Sequence, residues 1–179
     1  MCIKDWLDIT KEDAKKHFNI TDRRFSNYIK DNYLEKVETK RGNYYRLTNE
    51  GKNMSEKSWG FENHYNTQSI HHDYEITKKY LSLSPAQMET VKTERELRYE
   101  IVSYAEELRN SEYFQDRNLG DKIIEDLKNG SITCPDLSYS DEQGVHCFEC
   151  ITKNYSDEDI LSKVSYCLTM GFSLEQVRV

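Results

Sequence analysis

Apolar positions recur every three or four residues in several separate stretches, and after the first two of these comes a short alternating segment with a turn at its centre. Thr10 is a helix cap, and the residues Lys11 to Phe18 that follow predict a helix with Ala14 and Phe18 facing inward. Asn19-Ile20 is a short turn, and Thr21 opens a second helix with Asp22 in its first turn, where the helix dipole favours an acid. Phe25, Tyr28 and Ile29 form its apolar stripe, leaving Arg23, Arg24, Asn27 and Lys30 on the outward face. Leu34 to Glu38 and Tyr44 to Leu47 are rich in strand formers, and Lys40-Arg41-Gly42-Asn43 between them has Gly and Asn available for a tight turn. Two helices and a basic-tipped hairpin predict a winged helix-turn-helix. The lead-in Met1 to Ile9, with Trp6, Leu7 and Ile9, is expected to cover its core, and Thr48 to Lys52 to close it with a capped turn.

Further along, Met54 to Ser69 shows no sustained period and reads as a linker or surface loop docking Trp59 and Phe61. Ser69 to Leu83 predicts a helix, with Ile76, Tyr80 and Leu83 on one face, Lys78 and Lys79 opposite, and Pro85 as its end. Met88 to Lys92 alternates like a short strand. Leu97, Ile101, Ala105 and Leu108 mark a helix over Glu94 to Asn110, and a shorter one runs from Asp121 to Leu127, stopped by Asn129-Gly130. Ser131 to Leu137 reads as a strand, SYSDEQG as a turn, Val145 to Thr152 as the hairpin partner, and Asp157 to Leu168 as a final helix. The fold class is α+β, with residues 1–55 a DNA-binding head, 56–69 a linker and 70–179 a small mixed α/β domain.

Charge supports this division. The chain carries a net charge of -7, yet residues 1–55 hold 12 Lys+Arg against 9 Asp+Glu and the remainder 13 against 23. A basic head on an acidic body points to local, salt-sensitive phosphate binding. No apolar run approaches the ~20 residues of a membrane helix, and no charged start leads into an apolar leader, so a cytoplasmic location is expected. Five cysteines without framework spacing fit reduced thiols.

On the outward face of the second helix, Arg suits guanine or phosphate, Asn adenine and Lys phosphate, so Arg23, Arg24, Asn27 and Lys30, with Lys40, Arg41 and Asn43 at the hairpin tip, are the candidate DNA contacts. An ordinary solvated face is the plainer reading of such charges. In the second domain the hairpin would set Asp136 beside Glu149, and paired carboxylates at the ends of strands are a common way to hold Mg2+. A lysine on that face would assist a metal-bound water; Ile151 occupies the position two residues after Glu149, so the candidates are Lys153, further along the strand, and Lys163 from the last helix. The plainer reading is a hairpin with solvated acids. Cys147 and Cys150 form a CxxC with Cys134 and Cys167 to hand, but residues three apart in a strand face opposite ways, which favours buried thiols over zinc. His71-His72-Asp73 offers metal-ligand chemistry, but the plainer reading has Asp73 cap the helix and a histidine pack between domains.

The order of these features resembles the replication-relaxation family of mobile-element proteins over most of the chain. The resemblance rests on YYRLTNEGKNM (Tyr44 to Met54), His72-Asp73 opening a helix, TERELR (Thr93 to Arg98), Pro135-Asp136, Glu149, and a helix with Lys163 and Tyr166. It implies an accessory protein of a plasmid or conjugative element that binds double-stranded DNA near an origin, with a relaxase or another DNA-processing protein as a partner. It also implies a second domain similar to the PD-(D/E)xK nuclease fold, with Asp136 and Glu149 as its acids and Ile151 where the signature has Lys.

Three functional expectations follow. The leading one is a non-catalytic DNA-binding regulator that needs no cofactor. The second is a Mg2+-dependent nuclease using Asp136 and Glu149 with Lys153 or Lys163. The third is an interaction protein, as in some anti-CRISPR or anti-restriction proteins, whose head represses its own gene while the acidic body occupies a basic protein surface. A homodimer pairing two half-sites would suit the first, with the Glu94 to Asn110 helix as either interface or core.

Overall fold

Thr10 and Thr21 start the first two helices as their sequence positions predict. In the computed structural model, which describes residues 8–59 and 69–179, α1 (Lys11–Phe18) begins where the Thr10 side chain accepts the Asp13 N–H, and α2 (Asp22–Lys30) where Thr21 accepts the Arg24 N–H. Asn19 joins them in the left-handed conformation at φ 51°, a geometry that Asn tolerates well. The chain then forms an antiparallel pair, β1 (Leu34–Thr39) and β2 (Gly42–Leu47), in the register Leu34↔Leu47 to Thr39↔Gly42. Ile9 adds one bridge to the outer side of β2: its N–H donates to the Tyr45 carbonyl at 3.0 Å and its carbonyl accepts the Tyr45 N–H at 2.9 Å. Phe25 is buried edge-on against the Tyr45 ring, 4.8 Å between centroids, and this contact seats α2 on the hairpin.

Several expectations for this region change. Ile29 is 38% exposed, and Phe25 is the buried residue of α2. The closing turn is the start of a full helix, α3 (Asn49–Trp59), capped where Thr48 accepts the Gly51 N–H. Gly51 is required by space: a Cβ there would meet the Tyr33 carbonyl oxygen at 2.1 Å. The helix also takes in residues 56–59 at the start of the expected linker, while the roles expected of Trp6, Leu7, Phe61 and the Trp59 side chain lie outside the described part of the chain.

α4 (Ile70–Ser82) belongs with the head. The chain divides into compact units at Met1–Ser82 and Leu83–Val179, so the division falls after this helix and not at residues 56–69. Tyr74 makes the attachment specific, its hydroxyl donating to Asp13 at 3.0 Å and its ring lying 5.0 Å from that of Tyr44, which also meets His71. Ser69, not Asp73, caps the helix by accepting the His72 N–H, and Asp73 is buried against His72 within the first turn. The charge contrast survives the new boundary: residues 1–82 hold 15 Lys+Arg against 13 Asp+Glu, residues 83–179 hold 10 against 19.

The second unit begins with Ser84 capping a short helix, α5 (Pro85–Glu89), so the expected strand at Met88 shrinks to β3 (Lys92–Thr93). Pro85 both prevents α4 from continuing and starts this new turn, where its missing N–H is harmless. α6 (Glu94–Arg109) opens on a capping box between Thr93 and Glu96, and α7 (Phe114–Asn129) is twice the length its apolar pattern suggested. The hairpin strands are β4 (Leu137–Asp141) and β5 (Gly144–Ile151); α8 (Asp157–Met170) then crosses over to β6 (Ser173–Arg178), a strand with no counterpart in the sequence reading. The sheet order is β3-β4-β5-β6, antiparallel except for the last pair. Leu97, Ile101 and Ala105 of α6 meet Ile123 of α7, Cys147 of β5 and Tyr166 of α8, so the apolar face of α6 is core. The fold is α+β, with two separate sheets. Among the described residues no helix is long and apolar enough to cross a membrane.

Candidate functional site

Two groups of residues concentrate chemistry, one in each unit. On the first unit, α2 turns Arg23, Arg24, Asn27 and Lys30 to solvent because Phe25 takes the inward position. Arg24 is held along the helix, donating from Nε to the Tyr28 hydroxyl at 2.9 Å with its guanidinium 5.8 Å from that ring's centre. At the hairpin tip Lys40, Arg41 and Asn43 are exposed. The Thr39 hydroxyl accepts the Arg41 N–H and donates to the Gly42 carbonyl, and Gly42 takes φ +141°, a value that side chains rarely adopt; Asn43 stays in ordinary strand geometry. Arg41 is close enough to His71 that its charge, after burial, helps hold the imidazole below its usual titration range.

Sequence reasoning missed a further basic group on this unit. Lys11, Lys15 and Lys16 of α1 line a shallow depression with Glu12 and Asp22. Asp22 Oδ1 lies 2.8 Å from Lys11 and its Oδ2 2.9 Å from Lys15, and these two bonds hold the carboxyl at about 2, well below the usual range. The spacing of Lys11 and Lys15 was visible as one helical turn, but Asp22 was credited only to the helix dipole.

On the second unit the expected acid pair does form. Asp136 lies just before β4, and the register Leu137↔Phe148 sets it opposite Glu149. Residues 131–136 are not a strand: Ile132, Cys134, Pro135 and Asp136 are buried in an irregular run, and proline contributes no N–H to a ladder. The carboxylates take over the missing ladder bonds, the Asp136 N–H donating to Glu149 Oε2 at 3.0 Å and the Cys150 N–H to Asp136 Oδ2 at 2.8 Å. Lys163, not Lys153, supplies the cation, its ammonium 3.4 Å from Glu149 Oε1 and 2.6 Å from the Cys134 carbonyl; Lys153 is exposed in the turn after β5. The Tyr155 hydroxyl donates to Glu149 Oε1 at 2.7 Å. Burial, then the Asp136 charge, push Glu149 up to about 7 against the opposing pull of Lys163.

This arrangement fits a polar clasp better than a metal centre. Glu149 is 0% exposed, and each of its oxygens accepts a hydrogen bond from within the fold, Oε2 from the Asp136 N–H and Oε1 from the Tyr155 hydroxyl. Among the described residues no three His, Cys, Asp or Glu side chains are arranged to hold a metal ion. The described thiols are likewise buried. Cys147 lies in the core beside Cys167, Cys134 joins the same cluster, and Cys150 is buried one strand face away. A last cluster escaped the sequence reading: His146 bonds Asp141 through Nε2 at 2.8 Å and Ser173 through Nδ1 at 2.7 Å, tying the β4–β5 hairpin to β6. No family model, curated protein or solved structure matches this chain.

Proposed function

We propose that the protein is a sequence-specific double-stranded DNA-binding accessory or regulatory protein of a plasmid, phage or conjugative element, reading DNA through a winged helix-turn-helix. The observation that carries this reading is the outward face of α2, with Arg23, Arg24, Asn27 and Lys30 all exposed on a helix seated by Phe25 against a hairpin whose tip carries Lys40 and Arg41. A helix of this kind presents base-reading and phosphate-binding groups together, and the hairpin tip adds phosphate contacts from the same rigid unit. The acidic second unit, whose sequence motifs resemble those of the PD-(D/E)xK nucleases, then serves as the body through which a relaxase or another DNA-processing protein is engaged. A homodimer would present two such helices to paired half-sites.

The test is electrophoretic binding on duplexes from the DNA surrounding the gene, with and without Mn2+. The expected result is a retarded complex that Arg23→Ala/Arg24→Ala weakens at least tenfold, each lost phosphate or base contact being worth ~1 kcal/mol or more. Asp136→Ala should bind like wild type and yield no cut product. Mn2+-dependent cleavage abolished by Asp136→Ala would replace this reading with a nuclease built on Asp136, Glu149 and Lys163, the one alternative that the convergence of those three side chains favours.

A further inference from the structure

Asp22 sits where a DNA backbone phosphate would be welcome. In a helix-turn-helix the first helix crosses the sugar-phosphate backbone while the second enters the groove. Here α1 offers Lys11, Lys15 and Lys16 along one exposed edge, and the carboxylate reaching them comes from the first residue of α2. Its two oxygens are divided between two ammonium groups, Oδ1 at 2.8 Å from Lys11 and Oδ2 at 2.9 Å from Lys15. A phosphodiester presents its two anionic oxygens in the same forked way. We propose that Asp22 is an internal phosphate mimic that occupies the lysine pair of α1 in the free protein and is displaced by a backbone phosphate on binding, so that it sets the protein's DNA affinity below what its lysines would allow. The inference rests on the DNA-binding reading given above.

The exchange is feasible because the clamp is weak and open. Asp22 is 61% exposed, and Lys11 and Lys15 are 35% and 45% exposed, so both sides keep much of their hydration and the pair contributes little to stability. Competing phosphate needs no buried group to move. Displacement does carry an electrostatic cost, since Asp22 must then face the incoming phosphate, and the protein forgoes part of the counterion release that two unclamped lysines would give. Such a brake acts on specific and non-specific binding alike, since both use phosphate contacts, while base contacts from α2 are untouched.

The deciding experiment measures dissociation constants and their salt dependence for the full chain on its cognate duplex and on an unrelated one. Asp22→Asn should bind both more tightly, by about tenfold at low salt, and steepen the slope of log K against log salt by between one and two, as expected for up to two more phosphate contacts. Asp31→Asn, an identical charge change at the other end of α2, should alter affinity less than threefold. Adding Lys11→Gln/Lys15→Gln to Asp22→Asn should erase the gain. The proposal is overturned if Asp22→Asn binds no more tightly than Asp31→Asn, or if its gain persists without the two lysines. If wild type and every variant leave both duplexes unbound, the DNA-binding reading itself fails, and the brake with it.

Discussion

Lys163 stands between a charge and a carbonyl, 3.4 Å from Glu149 Oε1 and 2.6 Å from the Cys134 oxygen, and only 8% of it reaches solvent. Glu149 in turn has Asp136 as a close neighbour, so the ammonium is what offsets two buried acids. Removing one partner of a buried pair leaves the other uncompensated, which costs far more than removing both. Lys163→Met should therefore destabilise the protein by about 3 kcal/mol. Glu149→Gln/Lys163→Met should cost clearly less than the sum of the single changes, as read from urea unfolding; strict additivity would show that the two groups do not depend on one another. The acids themselves were legible from the Pro135-Asp136 and Glu149 spacing. Which lysine meets them was not, because Lys163 lies 14 positions beyond Glu149, on a helix whose placement depends on the crossover into β6.

At the scale of elements, α7 shows why a pattern can be read too short. Its apolar positions predict a brief helix over Asp121 to Leu127, stopped by Asn129-Gly130. In the structure Gly120 lies inside the helix at its closest approach to α6, where a Cβ would stand 2.6 Å from the Ala105 carbonyl oxygen. The glycine is there for contact between helices. Gly120→Ala gains ~1 kcal/mol of helix propensity but forces two backbones apart, for a net loss of about 1–2 kcal/mol. A raised denaturation midpoint in the alanine variant would mean that the helices are free to separate. The starts of the first two helices were the most legible features: Thr10 and Thr21 each act locally, on an N–H three residues away. β3 and β6 were the least, since Lys92–Thr93 and Ser173–Arg178 are strands only because β4 and β5 lie beside them.

For the whole molecule, titration gives a prediction that spans both units. Burial and the neighbouring Asp73 hold the Asp8 carboxyl at about 7, and burial with Asp136 does the same for Glu149. Acids raised in the native state bind more protons there than in the unfolded chain, so stability falls as pH rises from their ordinary values near 4 through 7. Asp22, Glu38, Asp141 and Asp159 are shifted the other way by their hydrogen bonds and ion pairs; what they contribute is present above pH 4 and lost as pH falls through their lowered values. Stability should peak near pH 5 and decline toward pH 7.5, by at most about 1.4 kcal/mol per pH unit for each raised acid. Urea midpoints across this range test the shape, and Asp8→Asn/Glu149→Gln should flatten the decline. An unchanged slope in that variant would assign the decline to other groups.

The sequence by itself determined the local features: where helices begin, which face of α2 is polar, that the hairpin tip is basic, and that charge divides unevenly along the chain. Each of these depends on residues a few positions apart, so the reading needs no knowledge of what lies across the core. Tertiary structure alone decided that α4 joins the head, since Tyr74 finds Asp13 from 61 residues away, and that Lys163 rather than Lys153 meets Glu149. It also decided that both acids bond backbone N–H groups, and that Asp22 serves two lysines of the preceding helix as well as its own helix dipole. Charges and hydrogen bonds act through space, and only the packed chain determines which groups are near enough to satisfy one another.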